Sequence, residues 1–234
     1  MQEFLTLHFW TSVSQIVLID IVLGGDNAVV IALACRQLPP AQRIQGIVWG
    51  TAGAIALRVV LIAFALTLLQ LPFVRLIGGA LLLWIGVKLL RPEDDDAPAA
   101  IHGSDRLWGA IKTVIVADLV MSLDNVIAIA GAAQEAQAQH QMVLVVFGLL
   151  VSIPIVVGGS QIVLRLMDRL PVIITLGAML LGWIAGTMVH GEQALAGILP
   201  QGGLWRYAMG LVGALAVLGA GKWVQRKAQS QIAP

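Results

Sequence analysis

Residues 17–34, VLIDIVLGGDNAVVIALA, recur 98 positions later as residues 115–132, IVADLVMSLDNVIAIAGA, and this repeated segment decides the fold. A second match follows in each half, between LPFVRLIGGALLLWIG from Leu71 and LPVIITLGAMLLGWIA from Leu170. The first pair of segments keeps three polar positions in both copies: Asp20 and Asp118, Asp26 and Asp124, and Asn27 and Asn125. The sequence therefore predicts two related halves, each built around one apolar segment that carries acidic residues.

The composition is strongly apolar. Hydrophobic residues make up 59% of the 234 and charged residues only 12%, whereas soluble domains are about 45 to 50% apolar. A hydrocarbon core about 30 Å thick takes about 20 helical residues to cross. Continuous apolar runs favour helices over barrel strands, which alternate. We therefore expect an all-α, polytopic membrane protein with seven spans, at residues 11–34, 44–69, 73–90, 107–133, 142–164, 172–189 and 204–223.

The basic residues predict the orientation in the membrane. Eleven of the fourteen Lys and Arg fall on one side of the seven spans, in alternate connections and at the C-terminus. By the positive-inside rule that side is cytoplasmic and the N-terminus is outside, in a plasma or inner membrane. The first residues, MQEFLTLHFW, have no basic region, so no cleaved signal peptide is expected. A net charge of +1 gives no reason to expect nucleic-acid binding.

Three helices per half is an odd number, so the second half enters the membrane from the opposite face. Inverted repeats of this kind are common in secondary transporters, whose binding sites lie near the midplane. We expect a first repeat at 1–90, an acidic cytoplasmic linker at 91–106, a second repeat at 107–190, and a seventh helix with a cytoplasmic tail at 191–234. A homo-oligomer is left open.

Four acidic residues lie about half-way along apolar helices. Insertion scales assign each membrane-embedded Asp about 2.5 to 3.5 kcal/mol, hence about 10 to 14 kcal/mol for four. Interhelical polar contacts contribute only about 0.6 kcal/mol on average, so structural hydrogen bonding does not account for them. A bound cation does. The candidate ligands are Asp20, Asp26, Asn27, Asp118, Asp124 and Asn125.

These donors are all hard oxygens, without Cys or His. Such a set favours Mg²⁺, Ca²⁺ or Mn²⁺ over Cu or Zn. The metal is expected as substrate, since nothing in the sequence predicts a prosthetic group. Carboxylates can exchange a metal for protons, so protons are the expected coupling ion. Additional candidates are the Gly24–Gly25 pair, where a helix break could free carbonyls, the Ser122 hydroxyl, and Arg58 as a mid-helix counter-charge.

The spacing within each motif constrains the geometry of the site. Asp20 and Asp26 are six residues apart, about 120° from facing alike and about 9 Å along an ideal helix. Inversion instead brings Asp20 to the depth of Asp124 and Asp26 to that of Asp118. Two geometries stay open: two sites about 9 Å apart along the axis, or one central site drawn together by a break at Gly24–Gly25. We favour the central site.

Other polar residues have ordinary interpretations. His190 and Glu192 are expected as a solvated pair at an outer helix end, and Cys35 as a small buried residue that excludes a multi-Cys metal site. The tryptophans near helix ends are expected to form an interfacial belt.

The two quoted segments resemble the signature helices of the TerC family of integral membrane proteins, and the resemblance extends from Phe9 to the seventh helix. It implies manganese export, and its acidic motif residues correspond to the six candidate ligands above. Two other functions stay open. The Leu-Gly-Gly-Asp at residues 23–26 superficially resembles the context of intramembrane aspartyl proteases. A membrane assembly factor without transport activity is the second.

Overall fold

A computed structural model describes the backbone of residues 7–69, 72–91, 103–135, 141–200 and 202–232. Within those ranges the structure does not describe every side chain. The side chains left out are those at 7–9, 12–13, 15–16, 19–24, 62–63, 65–69, 103, 124–135, 141–145 and 228–232.

The described backbone is helical, with no strand in any of these ranges. Besides the short 3-10 helix Gln193–Leu195, it forms seven α-helices: α1 Leu7–Cys35, α2 Pro40–Leu69, α3 Val74–Leu89, α4 Gly103–Glu135, α5 Gln141–Arg169, α6 Val172–His190 and α7 Gly203–Ile232. The all-α architecture and the order of helices expected from the apolar runs are confirmed.

Three helices begin four residues earlier than expected, and the first is α1, which starts at Leu7. Helix α2 starts at Pro40, where proline suits the first helical position because its ring fixes φ and no amide is needed there. Helix α4 starts at Gly103, so the last four residues of the expected linker form its first turn. Residues 92–102, the remainder of that linker beyond Arg91, lie outside the described residues.

Within the described residues, four helical segments are long and apolar enough to cross a membrane. They are Pro40–Leu61, Val146–Arg169, Val172–His190 and Gly203–Lys227, and the apolar segment Gly25–Cys35 of α1 is shorter. Together with the helices that flank them, these segments make a polytopic membrane protein.

The helices pack around a shared core. Helix α1 contacts α4 and α5, α2 contacts α4 and α5, and α3 contacts α6. Fully buried Leu33, Leu82 and Leu181 bring α1, α3 and α6 together, with Ala117 of α4 beside them. Helix α7 covers the outside of α6 and also touches α3.

One end of the bundle collects the C-terminal ends of α1 and α3 and the later part of α7. Arg36, which follows α1, donates to the carbonyl of Leu89 at 3.2 Å, and Gln225 of α7 donates to that of Leu90 at 2.7 Å. Arg43 at the start of α2 pairs with Asp168 of α5 at 3.0 Å. The connections expected to be cytoplasmic therefore lie at one end of the molecule.

Candidate functional site

The site begins with a close approach of α2 and α4. A Cβ atom added to Gly50 would lie 3.0 Å from Cγ1 of Val114, and one added to Gly53 would lie 2.6 Å from Cδ1 of Ile115. Side chains larger than hydrogen would therefore push the two helices apart. A Cβ added to Gly46 would lie 3.6 Å from Cδ1 of Leu107, which is an ordinary contact between the same two helices. The contacts advance in the same direction along both helices, so α2 and α4 run parallel. The next polar residue of α2 also faces α4.

That residue is Arg58, which forms a buried network with α4. Its Nη2 donates to Oδ1 of Asp118 at 2.5 Å, and its Nε donates to Oγ of Ser122 at 2.9 Å. Ser122 in turn donates to Oδ2 of Asp118 at 3.1 Å. All three side chains are at least nine-tenths buried. We call Arg58, Asp118 and Ser122 the Arg58 network.

The Arg58 network explains how one acidic residue is accommodated inside the bundle. A buried carboxylate is strongly unfavourable unless it is paired and hydrogen-bonded. Each oxygen of Asp118 accepts a hydrogen bond, one from a guanidinium that stays charged under all ordinary conditions. The Ser122–Asp118 spacing of four residues lets one helix turn supply both groups. Asp118 is therefore held as an ionised carboxylate.

Asp26 lies near the same depth. Gly46 contacts both Cys35 of α1 and Leu107 of α4, which sets a common level for the three helices. At 1.5 Å per residue, Asp26 is about 13 Å from that level, Asp118 about 16 Å and Arg58 about 18 Å. Asp118 and Arg58 are also the charged groups that act electrostatically on Asp26. Charges from three helices thus share one layer, about half-way across a bilayer core.

Several oxygens of α1 and α2 have no hydrogen-bond donor within the described part of the chain. They are Oδ1 of Asp26, Oδ1 of Asn27 and Oγ1 of Thr51. Asn27 and Thr51 are buried and Asp26 is half-buried. Native proteins leave few buried polar atoms unsatisfied, and each needs an explanation. A cation held by oxygen atoms is one explanation that fits the adjacent Asp26 and Asn27, whereas Thr51 lies only about 7.5 Å from the Gly46 level, short of the layer.

The described side chains cover part of the expected ligand set. Asp26, Asn27 and Asp118 are described, together with the additional candidates Ser122 and Arg58. Those of Asp20, Gly24, Asp124 and Asn125 lie outside the description. Among the described side chains, no three Asp, Glu, His or Cys residues come together in a way that could hold a metal ion.

The expected break at Gly24–Gly25 is wrong. Helix α1 continues from Leu7 through both glycines to Cys35. Gly25 is exposed, and a Cβ added to it would meet nothing within 4 Å. The pair therefore neither interrupts the helix nor, at Gly25, makes a close contact. Helix α4 is likewise continuous, and the Ser122 hydroxyl donates to Asp118 instead of to its own backbone.

The sequence analysis missed Thr51. It precedes Arg58 by seven residues, which puts both on one face of α2. It is also the one hydroxyl in the run of small and apolar residues GTAGAIAL, residues 50–57. That spacing was the available signal.

At the opposite end of the bundle, the structure corrects the expectation for Glu192. It was expected to be solvated, with His190, but both side chains are buried. Burial alone would raise the pKa of Glu192, yet hydrogen bonds from the backbone amides of Ala194, Phe73, Leu76 and Arg75 outweigh burial and hold the pKa below its usual value. The carboxylate therefore caps the N-terminus of α3, where the amides would otherwise lack partners.

Two further contacts complete this outer clamp, which we define as Glu192, Arg75 and His190. Arg75 donates to the carbonyl of Gly191, and Nε2 of His190 donates to that of Pro200 at 3.2 Å. The clamp joins the start of α3 to the connection between α6 and α7. It is distant from the Arg58 network and has a structural role.

Comparison with known proteins gives the family. A model of the "Integral membrane protein TerC family" matches residues 5–229. The chain is 43% identical over 192 residues to the "Uncharacterized membrane protein YjbE" of Bacillus subtilis, covering 82% of this chain and 85% of that protein. It is 24% identical over 196 residues to YceF of the same organism, covering 79% and 74% of the two chains.

Two Escherichia coli proteins are also similar to this chain. YegH is 26% identical over 215 residues, which is 84% of this chain but 39% of that protein. The "UPF0053 inner membrane protein YgdQ" is 27% identical over 158 residues, covering 60% of this chain and 66% of that protein. No solved structure matches the chain. With almost its whole length matched by the family model, this protein belongs to the TerC family of integral membrane proteins.

Proposed function

We propose that the protein is a secondary transporter that exports a divalent metal cation, with Mn²⁺ as the first candidate, in exchange for protons. One observation carries the proposal: acidic side chains from two different helices, α1 and α4, share a buried mid-depth layer with unsatisfied oxygens. A membrane protein keeps ionisable groups at such depth chiefly for ion pathways and relays.

The donor chemistry supports a hard cation. Each described candidate ligand offers oxygen: the carboxylates of Asp26 and Asp118 and the amide of Asn27. Oxygen ligands suit Mg²⁺, Ca²⁺ and Mn²⁺. We propose Asp20, Asp124 and Asn125, which match Asp118, Asp26 and Asn27 in the other half, as the remaining ligands. Because α1 is unbroken, Asp20 and Asp26 stay about 9 Å apart along its axis, which favours two stacked positions over one central site.

The packing supports inverted repeats. Exchanging the halves relates α1 to α4, α2 to α5 and α3 to α6. The α2–α4 contact then corresponds to α1–α5, and the α3–α4 contact to α1–α6, and all four occur. Contacts α1–α4, α2–α5 and α3–α6 correspond to themselves and also occur. We propose that α1 and α4, the helices with the acids, meet on the axis that relates the halves.

Orientation follows from the positive charge at one end of the bundle. Lys88 lies over Trp84, 5.0 Å from the ring centroid, and Lys227 lies over Trp223 at 5.6 Å. Exposed Trp and Lys side chains of this kind suit a membrane interface. We propose that this end is cytoplasmic, with the N-terminus outside, in the inner or plasma membrane. The name of the relative YgdQ, an inner membrane protein, agrees with this location.

The protease alternative loses support from the Arg58 network. An aspartyl dyad needs two carboxylates that share a proton, whereas Asp118 is paired with a guanidinium. We propose no enzymatic activity. An assembly factor without transport activity would need no ion site. A test of metal binding and transport therefore addresses both the protease and the assembly-factor alternatives.

The test is manganese binding and transport by the purified protein. Reconstituted protein should move Mn²⁺ across a liposome membrane, and manganese should raise its thermal unfolding midpoint in detergent. Asp26→Asn should abolish the transport. A wild-type protein that neither binds Mn²⁺ nor moves it would overturn the proposed function.

A further inference from the structure

Arg58 is permanently charged, and its guanidinium already binds Asp118, which is one of the proposed metal ligands. Its Nη2 lies 2.5 Å from Oδ1 of Asp118 and its Nε lies 2.9 Å from Oγ of Ser122. The guanidinium does not lose its proton in proteins, so it cannot leave Asp118 by deprotonation. A divalent ion that binds Asp118 therefore has to compete with Arg58 directly.

The Ser122 hydroxyl also belongs to the Arg58 network. It accepts from Arg58 and donates to Asp118, at 2.9 and 3.1 Å. Because the hydroxyl already makes these two hydrogen bonds, it stabilises the ion pair and its oxygen is not free to bind a metal. Ser122 is thus better explained as an anchor of Arg58 than as a ligand.

The sequence has an arginine at this position in one half only. Asp118 aligns with Asp20, but the spacing of 98 or 99 residues between the halves puts Val156 or Val157 opposite Arg58. A counter-charge needed simply to seat an acid in this fold would be expected in both halves. Its presence in one makes the two halves of the site electrically unequal.

Arg58 lies on α2, whereas Asp118 and Ser122 lie on α4. A change in the torsions of the arginine side chain is therefore enough to separate it from Asp118, without a movement of either helix. Asp26 of α1 places a second carboxyl group in the same layer.

We propose that Arg58 is a tethered competitor of the transported cation: it neutralises Asp118 in the metal-free protein and is displaced from Asp118 when the metal binds. This inference rests on the proposed transport function. The competition weakens metal binding, and the return of Arg58 to Asp118 helps to expel the ion and stabilises the empty carrier.

The first test compares charge-neutral and charge-conserving variants. Arg58→Met should bind Mn²⁺ at least about tenfold more tightly than wild type, by calorimetry in detergent, while the maximal rate in proteoliposomes falls. Arg58→Lys keeps a cation and should stay within about threefold of wild type in affinity. Arg43→Met removes an arginine from the same helix, far from the site, and should leave the affinity within about twofold.

Ser122→Ala provides the second test and does not remove the buried charge. Loss of the anchor should loosen Arg58 and tighten Mn²⁺ binding about two- to fivefold, whereas loss of a ligand would weaken it. This variant decides the matter if Arg58→Met does not fold.

The outcomes separate the two proposals. If wild type binds Mn²⁺ but both Arg58→Met and Ser122→Ala bind equally or more weakly, the competitor role is overturned and transport stands. A wild-type protein that does not bind Mn²⁺ overturns both. Tighter binding together with a lower maximal rate supports the competitor role, because a purely structural arginine predicts no gain in affinity.

Discussion

Asp26 and Asp118 share a depth but differ in their surroundings. Asp118 has hydrogen bonds to both oxygens and a guanidinium partner, whereas Oδ1 of Asp26 has no donor within the described residues. Pairing lowers the free energy of a buried charge, and an unsatisfied oxygen raises it. Substitution of the two residues should therefore have the same effect on transport and different effects on stability.

We predict that Asp118→Asn and Asp26→Asn both abolish Mn²⁺ transport, but only Asp118→Asn destabilises the protein. It removes the carboxylate that pairs with the buried Arg58, which costs about 3 to 5 kcal/mol. Asp26→Asn should change the free energy of unfolding by less than about 1 kcal/mol, because an amide oxygen replaces an oxygen that had no donor. Transport assays and denaturant unfolding in detergent measure both effects. Equal stability of the two variants would contradict the ion-pair assignment.

Glu192 makes a pH-dependent prediction at the outer clamp. In the folded protein the pKa of the Glu192 carboxyl is lower than its usual value of 4.5, so folding favours the ionised form. Its contribution to stability is complete above the usual pKa and disappears as the pH falls through the lower, folded pKa. The difference in unfolding midpoint between wild type and Glu192→Gln should be constant from pH 7 to about 5.5 and shrink below 4.5. A difference that grows on acidification would exclude the capping role.

At the scale of helices, glycines set the distances between neighbours. On α6, Gly182 and Gly186 lie against the backbone of α7 at Gly213 and Met209, so close that a Cβ would overlap carbonyl oxygens. Backbone atoms cannot rotate away as side chains do. The α6–α7 interface therefore depends on small residues, as is usual between membrane helices.

We predict that Gly186→Ala separates α7 from α6, because the new methyl group would overlap the carbonyl of Met209. The unfolding midpoint should fall, and α7 should become accessible to protease at its C-terminal end. Gly219→Ala on α7 is the matched control, since a Cβ there meets nothing within 4 Å. That variant should be neutral or slightly stabilised, by up to about 1 kcal/mol, from helix propensity. Equal behaviour of the two variants would argue against the close packing.

The sequence predicted the helices better than their contacts. Apolar runs of sufficient length identified all seven helices, because hydrophobic length is local information. Thr51 and Glu192 were missed or misread because their roles depend on neighbours far along the chain: unsatisfied burial in one case, and the start of α3 in the other. The Gly24–Gly25 break was wrong because each glycine costs only about 1 kcal/mol relative to alanine inside a helix, which weakens a long helix without ending it.

Considered as a whole molecule, the chain combines a near-symmetric arrangement of helices with an asymmetric distribution of charge. The contacts of α1 with α5 and of α2 with α4 correspond under exchange of the halves, yet Arg58 has valine at the corresponding place. The proposed transport needs an inward-facing and an outward-facing state of similar energy, which inverted repeats would provide. A charge in one half alone would then give these two states different affinities for a cation.

Export of a divalent cation requires an energy source, which leads to the last prediction. An interior-negative potential of 100 mV opposes outward movement of two charges by about 4.6 kcal/mol. Carboxylates that release a metal can take up protons from the outside, so the acids of α1 and α4 themselves can couple export to inward proton flow. In proteoliposomes, an imposed pH gradient should accelerate Mn²⁺ movement against the direction of proton flow, and collapsing the gradient with an ionophore should remove the acceleration. Liposomes containing the Asp26→Asn variant control for leakage. Manganese movement that ignores the pH gradient would refute proton coupling and leave the metal site untouched.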